Sequence, residues 1–335
     1  MRKRHVRWAV VLVALTLLVL VASFWSLLSG EIHIPFNKLF TVMNKPDSME
    51  YAILTNIRIP RLVLAFSVGG ALSLVGAILQ GIFRNPLVEP FTLGISGGAS
   101  MGVALIIVLG GNIAGSLLTL PVAGFAGALA TILLVYFLGV RKGAGNINRM
   151  LLIGVMISFV SSSSLMFLLS IATTEDMHNV LFWTMGSLDE PNPALIKLVF
   201  WTSIAGLGFT YLFAQPLNAL RLGETKAMHL GINAPLLIKT LFVVTSLLAG
   251  ICVSVAGVIG FVGLVIPHLI RQFVGSDYRV LLAGSFLGGS LFLIVCDVLA
   301  RTLISPNELP VGVLTGITGG VVFILMLSRS RQKSI

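Results

Sequence analysis

Few side chains in this sequence combine a chemical type and a position that would support catalysis or ion binding. Asp297 is the only acidic residue inside one of the long apolar stretches, and Arg301 follows it four residues later. On a helix, an i,i+4 pair of this kind can satisfy both charges locally. The five histidines are scattered, and one histidine such as His268 cannot form a metal site alone. We therefore expect no tightly bound metal and no cofactor.

The motifs of common nucleotide-dependent and hydrolytic enzymes are missing from the sequence. It contains no G-x-x-x-x-G-K-[ST], H-E-x-x-H, G-x-S-x-G or C-x-x-C pattern. Cys252 and Cys296 lie in apolar runs, where buried free thiols are expected. A proton or cation relay usually needs several ionisable groups within the membrane, so one acid gives thin support for an ion-coupled transporter. The sequence instead indicates a non-enzymatic protein that depends on an external energy source.

The composition excludes a soluble globular protein. Of the 335 residues, 56% are hydrophobic and only 10% are charged, whereas soluble domains carry about 25% charged residues. A helix crosses the hydrocarbon core in about 20 apolar residues. The apolar stretches predict one transmembrane domain over 1–335 with ten spans: 8–28, 61–83, 91–110, 117–139, 150–172, 194–214, 237–258, 261–274, 280–303 and 311–328.

The distribution of charge supports this topology and places both termini in the cytoplasm. With a cytoplasmic N-terminus, 16 of the 22 basic residues lie inside and eight of the 12 acidic residues lie outside. This split follows the positive-inside rule and accounts for the net charge of +10 without nucleic acid as a partner. The apolar run after Met1–Arg7 is longer than that of a signal peptide, which indicates an uncleaved anchor.

A weak internal repeat suggests two halves. Residues 70–87 can be aligned with residues 250–267, and each segment has a glycine ten residues before a proline. A repeat of five spans would give the halves inverted topology, which is a common plan in transporters. Coincidence in a glycine-rich apolar chain is the alternative.

Four motifs occur in a specific order: R-x-P-R at 58–61, R-N-P-L at 84–87, G-F-x-G-L-x-x-P-H at 260–268 and E-L-P-x-G at 308–312. Together with the loop at 217–233, these motifs closely resemble those of the FecCD-type permeases. The resemblance covers nearly the whole chain. These permeases are membrane subunits of binding-protein-dependent ABC importers for ferric siderophores, haem or cobalamin. The resemblance implies an all-α polytopic membrane fold with ten transmembrane helices in two inverted five-helix halves, like the cobalamin importer permease.

The resemblance also implies a set of partners. A second permease subunit would complete a homodimer or heterodimer in the bilayer of the bacterial cytoplasmic membrane. Two ATP-binding-cassette ATPase subunits would supply the energy, and an extracellular or periplasmic binding protein would deliver the substrate. A ferric siderophore is the expected substrate, with haem and cobalamin as alternatives. An ion-coupled secondary transporter is the alternative from another class.

The family pattern assigns expected roles to residues on both faces. Arg58, Arg61 and Arg301 are expected to dock glutamates of the binding protein, since the guanidinium fork binds carboxylates bidentately. Interfacial anchoring, or the local pair with Asp297, is the alternative. In the cytoplasmic loop 215–236, the residues expected to contact the ATPase are Glu224, Ala227 and Gly231.

Further roles concern the pathway itself. The resemblance implies an inner gate formed by the turn after the second span and the loop before the fifth: Asn85, Leu87, Asn146, Ile147 and Asn148. An ordinary helix-terminating turn is the alternative. The fifth span is expected to line the pathway with Ser158, Ser161 and Ser162, although serines in a span can simply bond back to their own helix.

Overall fold

A computed structural model describes residues 2–30, 44–110, 118–140, 147–304 and 307–330. Helices joined by short loops make up nearly all of this part of the chain, and none of it forms a strand. In chain order the helices are α1 (Arg2–Leu28), α2 (Met49–Ile82), α3 (Ile95–Leu109), α4 (Thr119–Val140), α5 (Ile147–Ile171), α6 (Thr174–Thr184), α7 (Pro193–Tyr211), α8 (Ala214–Leu220), α9 (Glu224–His229), α10 (Ala234–Ala256), α11 (Val262–Val274), α12 (Tyr278–Thr302) and α13 (Val311–Ser330).

The helix lengths agree with a polytopic membrane protein. Within the described residues, seven helices are long and apolar enough to cross a membrane, and three shorter apolar helices accompany them. Each of the ten predicted stretches overlaps one of these helices. The predicted all-α membrane fold is confirmed, whereas the number of crossings and the division into inverted halves stay predictions.

Two helix boundaries differ from the sequence prediction for local reasons. Helix α2 begins at Met49 because the Ser48 side chain accepts a hydrogen bond from Tyr51 N and caps its first turn. A π-helical turn at Leu54–Arg58 precedes Pro60, which has no N–H to donate. Helix α3 begins late because Pro90–Leu93 forms a 3₁₀ turn, after which Gly94 adopts a φ of +83°.

Helix α2 is the centre of the bundle. It packs against α7, α10, α11 and α12, and nearly every residue from its middle to its end is buried. Glycines allow the closest approaches: a Cβ on Gly69 would overlap the Gly289 carbonyl of α12, and one on Gly76 would overlap the Gly263 carbonyl of α11. Small residues thus let the backbones meet, as is common between membrane helices.

Glycines of other helices also allow close packing within the chain. A Cβ on Gly98 of α3 would overlap the backbone of Gly127 of α4, and one on Gly284 of α12 would crowd Ile270 of α11. Gly316 of α13 is different, because open space surrounds its Cβ position.

Two ends of the bundle carry its polar contacts. At the first, the start of α1, helix α8 and the start of α12 meet through Asp277, and we refer to it as the Asp277 end. At the other, the end of α1, the start of α2 and the end of α12 meet through Asp297, and we refer to it as the Asp297 end.

Candidate functional site

An ion cluster occupies the Asp297 end and joins three helices. Arg61 Nε donates to Asp297 Oδ1 at 2.6 Å, and Arg61 Nη1 donates to Glu308 Oε2 at 2.7 Å. Arg301 Nη2 lies 2.9 Å from Asp297 Oδ2, which is the i,i+4 pair expected from the sequence. The same nitrogen donates to Ser26 Oγ of α1 at 2.9 Å. Arg58 Nη1 donates to Leu27 O at 2.6 Å.

The three arginines expected to dock a binding protein are therefore turned inward. Arg58, Arg61 and Arg301 are 3%, 5% and 6% exposed, and Asp297 is 1% exposed. Glu308, by contrast, is half exposed. In this arrangement the guanidinium groups tie α1, α2 and α12 together, and the local-pairing alternative is confirmed for Arg301. Docking by these residues stays a prediction, and for Arg61 and Arg301 it would require their present carboxylate partners to be exchanged.

Gln80 near the end of α2 completes the hydrogen bonding of α11. Pro267 lies inside α11 and has no N–H, so the carbonyl of Gly263 lacks its usual helical donor. Gln80 Nε2 donates to that carbonyl at 3.0 Å. Its Oε1 accepts from Arg271 Nη1, so one buried amide connects two turns of α11 to α2.

The predicted gate turn follows α2 directly. Asn85 Oδ1 accepts from Leu87 N at 2.9 Å, which closes a tight turn around Pro86. Arg84 has a φ of +49°, and the Leu87 side chain is exposed. Asn146 lies outside the described residues. Ile147 and Asn148 open α5, but their side chains are outside the described set as well, so a contact across the proposed gate stays a prediction.

Glu89 is an acidic group that the span-by-span reading of the sequence missed, because it lies between two predicted spans. Its carboxylate accepts from Phe261 N at 3.3 Å, at the N-terminus of α11. A carboxylate is favourable there because free N–H groups and the helix dipole favour negative charge. Burial raises the pKa of Glu89 to about 7, while the Phe261 hydrogen bond opposes that rise.

The predicted coupling segment forms two short helices, α8 and α9. Glu224 opens α9 and its Oε1 accepts from Arg84 Nη2 at 3.1 Å, which links the segment to the gate turn. Ala227 is completely buried, so its side chain packs inward in this structure. Its contact with an ATPase stays a prediction. Gly231 has a φ of +82° and open space around it. The large apolar side chains of the segment that are exposed are Leu222, Met228, Leu230 and Leu236.

The serines of α5 divide into two groups. Ser158 and Ser161 face Gly94 and Gly97 at the start of α3, and Ser158 Oγ also donates to Gly154 O of its own helix at 3.1 Å. Ser162 is exposed. The back-bonding alternative therefore applies to Ser158, and the predicted pathway lining by the three serines is untested.

Asp277 organises the end of the bundle that carries the coupling segment. Its Oδ1 accepts from Asn218 Nδ2 of α8 at 2.9 Å, and its Oδ2 accepts from Arg4 Nη2 of α1 at 3.2 Å. Arg279 forms a further ion pair with Oδ2 at 2.8 Å. Hydrogen bonds from Arg279 and Asn218 hold the pKa of Asp277 well below its usual range, although burial opposes them.

Side-chain chemistry elsewhere in the described residues gives no metal site. The part of the chain with described coordinates contains no group of three or more His, Cys, Asp or Glu side chains able to hold a metal ion. Cys252 and Cys296 are buried free thiols, as the sequence predicts. A cavity of about 640 Å³ lies beside α6 and is lined in part by Asp176, Asn179 and Trp183.

Comparison with known proteins decides the family. The model of the FecCD transport family matches residues 17–329. The chain belongs to the FecCD transport family. This FecCD chain is 39% identical over 325 residues to the hemin transport system permease protein HmuU of Yersinia pestis, covering 95% of each chain. It is 36% identical over 340 residues to the vitamin B12 import system permease protein BtuC of Salmonella paratyphi A, covering 99% of this chain and 98% of that protein.

A solved structure agrees with the same assignment. A metal-chelate type ABC transporter in an inward-facing conformation matches 96% of the FecCD chain and 99% of its own chain, with a TM-score of 0.83 and 30% identity. The FecCD chain is thus an ABC importer permease, a multi-pass protein of the bacterial inner membrane, and a transport subunit rather than a catalytic enzyme. The ion-coupled secondary transporter considered from the sequence is not supported.

Proposed function

We propose that this permease carries a ferric siderophore across the cytoplasmic membrane, powered by a separate ATPase, with both of its termini in the cytoplasm. The full-length likeness to a metal-chelate type ABC transporter supports a metal chelate as the substrate class. A ferric siderophore is the first candidate within that class. Haem is the second candidate, and the 39% identity to a hemin permease favours it. Cobalamin is the third, from the likeness to a vitamin B12 permease.

A second permease subunit would complete the pathway, either as another copy of this chain or as a related one. Support comes from the outer helices α5 and α13, which expose long apolar side chains such as Phe159, Phe167, Ile317 and Ile324. Lipid or a second subunit would cover them. Ser162 on the exposed side of α5 would then face the pathway, with Ser158 and Ser161 behind it against α3.

The coupling segment would contact the ATPase through its exposed apolar side chains. Met228 and Leu230 project from the segment, and the Arg84–Glu224 pair would carry its movement to the gate turn around Asn85 and Leu87. A Met228→Asp change should weaken ATPase association in a pull-down of the assembled complex, whereas Met228→Leu should preserve it. Equal association of both variants would exclude this surface.

The binding protein would dock at the Asp297 end. Its carboxylates would replace Glu308, and then Asp297, as partners of Arg61 and Arg301. Glu308 is the more exposed partner, so the Arg61–Glu308 pair would be the first to exchange.

Reconstitution with defined partners tests the substrate. The permease, its ATPase and its binding protein would be placed in proteoliposomes and supplied with a radiolabelled ferric siderophore, haem or cobalamin. ATP-dependent uptake of the siderophore supports the proposal. Uptake of haem or cobalamin alone would reassign the substrate, and accumulation by the permease alone under an ion gradient would overturn the ABC mechanism.

A further inference from the structure

A second polar site lies at the Asp277 end, beside the gate turn. A cavity of about 220 Å³ there is lined by three arginines, Arg84, Arg221 and Arg271, which come from the gate turn, the end of α8 and helix α11. Gln80, Asn85 and Tyr278 line it as well. The volume of this cavity is below the usual range for pockets that bind drug-sized ligands, so the cavity suits a small chemical group rather than a whole metal chelate.

Among the described residues, carboxylates balance only part of the positive charge in this cavity. Arg84 pairs with Glu224, but Arg221 Nη1 donates only to the backbone carbonyl of Ser276, at 2.6 Å. Arg271 donates to Gln80, a neutral amide. None of the described lining residues is acidic, and the nearby Asp277 is already engaged by Arg4, Arg279 and Asn218.

The three guanidinium groups therefore bring like charge into one space, since Arg84, Arg221 and Arg271 all line the same cavity. Like charges held together in a concave site are costly unless an anion is bound between them. Guanidinium groups match phosphate oxygens in a bidentate fork, and Asn85 and Tyr278 would add neutral polar contacts.

We infer that the cavity formed by Arg84, Arg221 and Arg271 binds a phosphate group. Two sources share this chemistry: free inorganic phosphate and the headgroup of an anionic phospholipid. Bound phosphate would join the gate turn, α8 and α11 at one point. The proposed phosphate site consists of the chain's own residues and does not depend on which substrate the permease carries.

The purified full-length chain allows a direct test with a matched control. Arg221→Gln removes one cavity arginine, and Arg221→Lys keeps its charge without the fork. Arg7→Gln is the control, because Arg7 lies at the same end, is exposed and also donates to one backbone carbonyl, that of Gln272, but it does not line the cavity. Thermal unfolding in inorganic phosphate would be compared with unfolding in sodium chloride of equal ionic strength, since salt screens surface charges.

We expect phosphate to stabilise both the wild type and Arg7→Gln. Arg221→Gln should lower phosphate affinity about tenfold, as expected for the loss of a charge-assisted hydrogen bond. The affinity of Arg221→Lys should lie between those of the wild type and Arg221→Gln. Native mass spectrometry in mixed phosphatidylglycerol and phosphatidylcholine tests the other source. Phosphatidylglycerol retained by the wild type and lost only in Arg221→Gln, without phosphate binding, would assign the lipid headgroup.

Three results would overturn the inference. The first is that neither phosphate nor phosphatidylglycerol binds. The second is that Arg7→Gln loses binding as much as Arg221→Gln, which would indicate general charge attraction. The third is that binding to the isolated chain disappears once the ATPase associates, which would assign the cavity to a side chain of that partner.

Discussion

At the scale of single residues, two polar side chains inside this permease act on backbone groups of α11 that lack a helical partner. Pro267 removes a donor from α11, and Gln80 replaces that donor from α2. Glu89 accepts from the N-terminus of the same helix. Membrane helices tolerate such interruptions only where neighbouring protein groups form hydrogen bonds with the free backbone groups. These two side chains therefore stabilise the short helix α11.

Replacing Gln80 with leucine should destabilise the permease by about 1–3 kcal/mol, the cost of an unsatisfied buried polar group. The Gly263 carbonyl would lose its donor, and Arg271 would lose its acceptor. Thermal unfolding of the purified chain in detergent measures the loss. Gln272→Leu is the control: it changes an exposed residue of α11 and should alter stability very little. Equal effects of the two changes would contradict the role of Gln80.

Asp277 should contribute stability that depends on pH. Its pKa is lower in the folded chain than in the unfolded one, so its contribution is fully present above the unfolded value of about 4 and declines as the pH falls below it. We expect the stability difference between the wild type and Asp277→Asn to be large at neutral pH and to shrink on acidification to pH 3. Asp189→Asn, an exposed change, should show a smaller difference. If the stability difference between the wild type and Asp277→Asn grew on acidification, the stabilising role of the Asp277 carboxylate would be excluded.

At the scale of helices, glycine contacts decide how closely the central elements approach. Gly69 and Gly289 join α2 to α12, while Gly76 and Gly263 join α2 to α11. Both contacts are between backbones, which cannot move aside as the end of a flexible side chain can. Helix α2 is therefore held along its length by its neighbours, and the two polar ends of the bundle are positioned by the same contacts.

Adding one methyl group at Gly76 should disrupt this packing. Gly76→Ala would place its Cβ against the backbone of Gly263, and overpacking of this kind costs about 1–3 kcal/mol or more. Gly316→Ala is the matched control, because open space surrounds that position and alanine favours helix by up to about 1 kcal/mol. Membrane abundance and thermal unfolding should fall for the first variant only. Similar losses in both would show that the contact is not responsible.

At the scale of the whole molecule, the Asp297 cluster connects the part of the chain that the binding protein would meet to the packed core. Arg61 and Arg301 share Asp297, and Arg301 also bonds α1. Removing one partner of such a buried pair is costly because the other charge stays buried. An Arg61→Glu variant would place a third carboxylate beside Asp297 and Glu308, so lost uptake in that variant would not by itself indicate docking.

Glu308→Gln separates docking from internal pairing. It frees Arg61 Nη1 while the Arg61–Asp297 pair remains, and it should change stability by less than about 1 kcal/mol because Glu308 is half exposed. If Arg61 docks a carboxylate of the binding protein, affinity for that protein should rise several-fold at low salt. Glu175→Gln removes the same charge from exposed helix α6 and should have no effect. Unchanged affinity for Glu308→Gln would remove Arg61 from the docking surface.

The sequence by itself determined the class of fold, the approximate position of each apolar helix and the family. Those features depend on residues close together in the sequence: the length of each apolar stretch, the charges between the stretches, and motifs such as R-N-P-L. The Asp297–Arg301 pair was also predictable, because four residues on one helix place two side chains together. Only the tertiary structure decided which partners distant residues have. Arg61 meets Asp297 and Gln80 meets Gly263, and neither spacing follows from any helical period. Ala227 proved buried for the same reason: the neighbours that cover a side chain come from other helices, and their positions depend on how those helices pack.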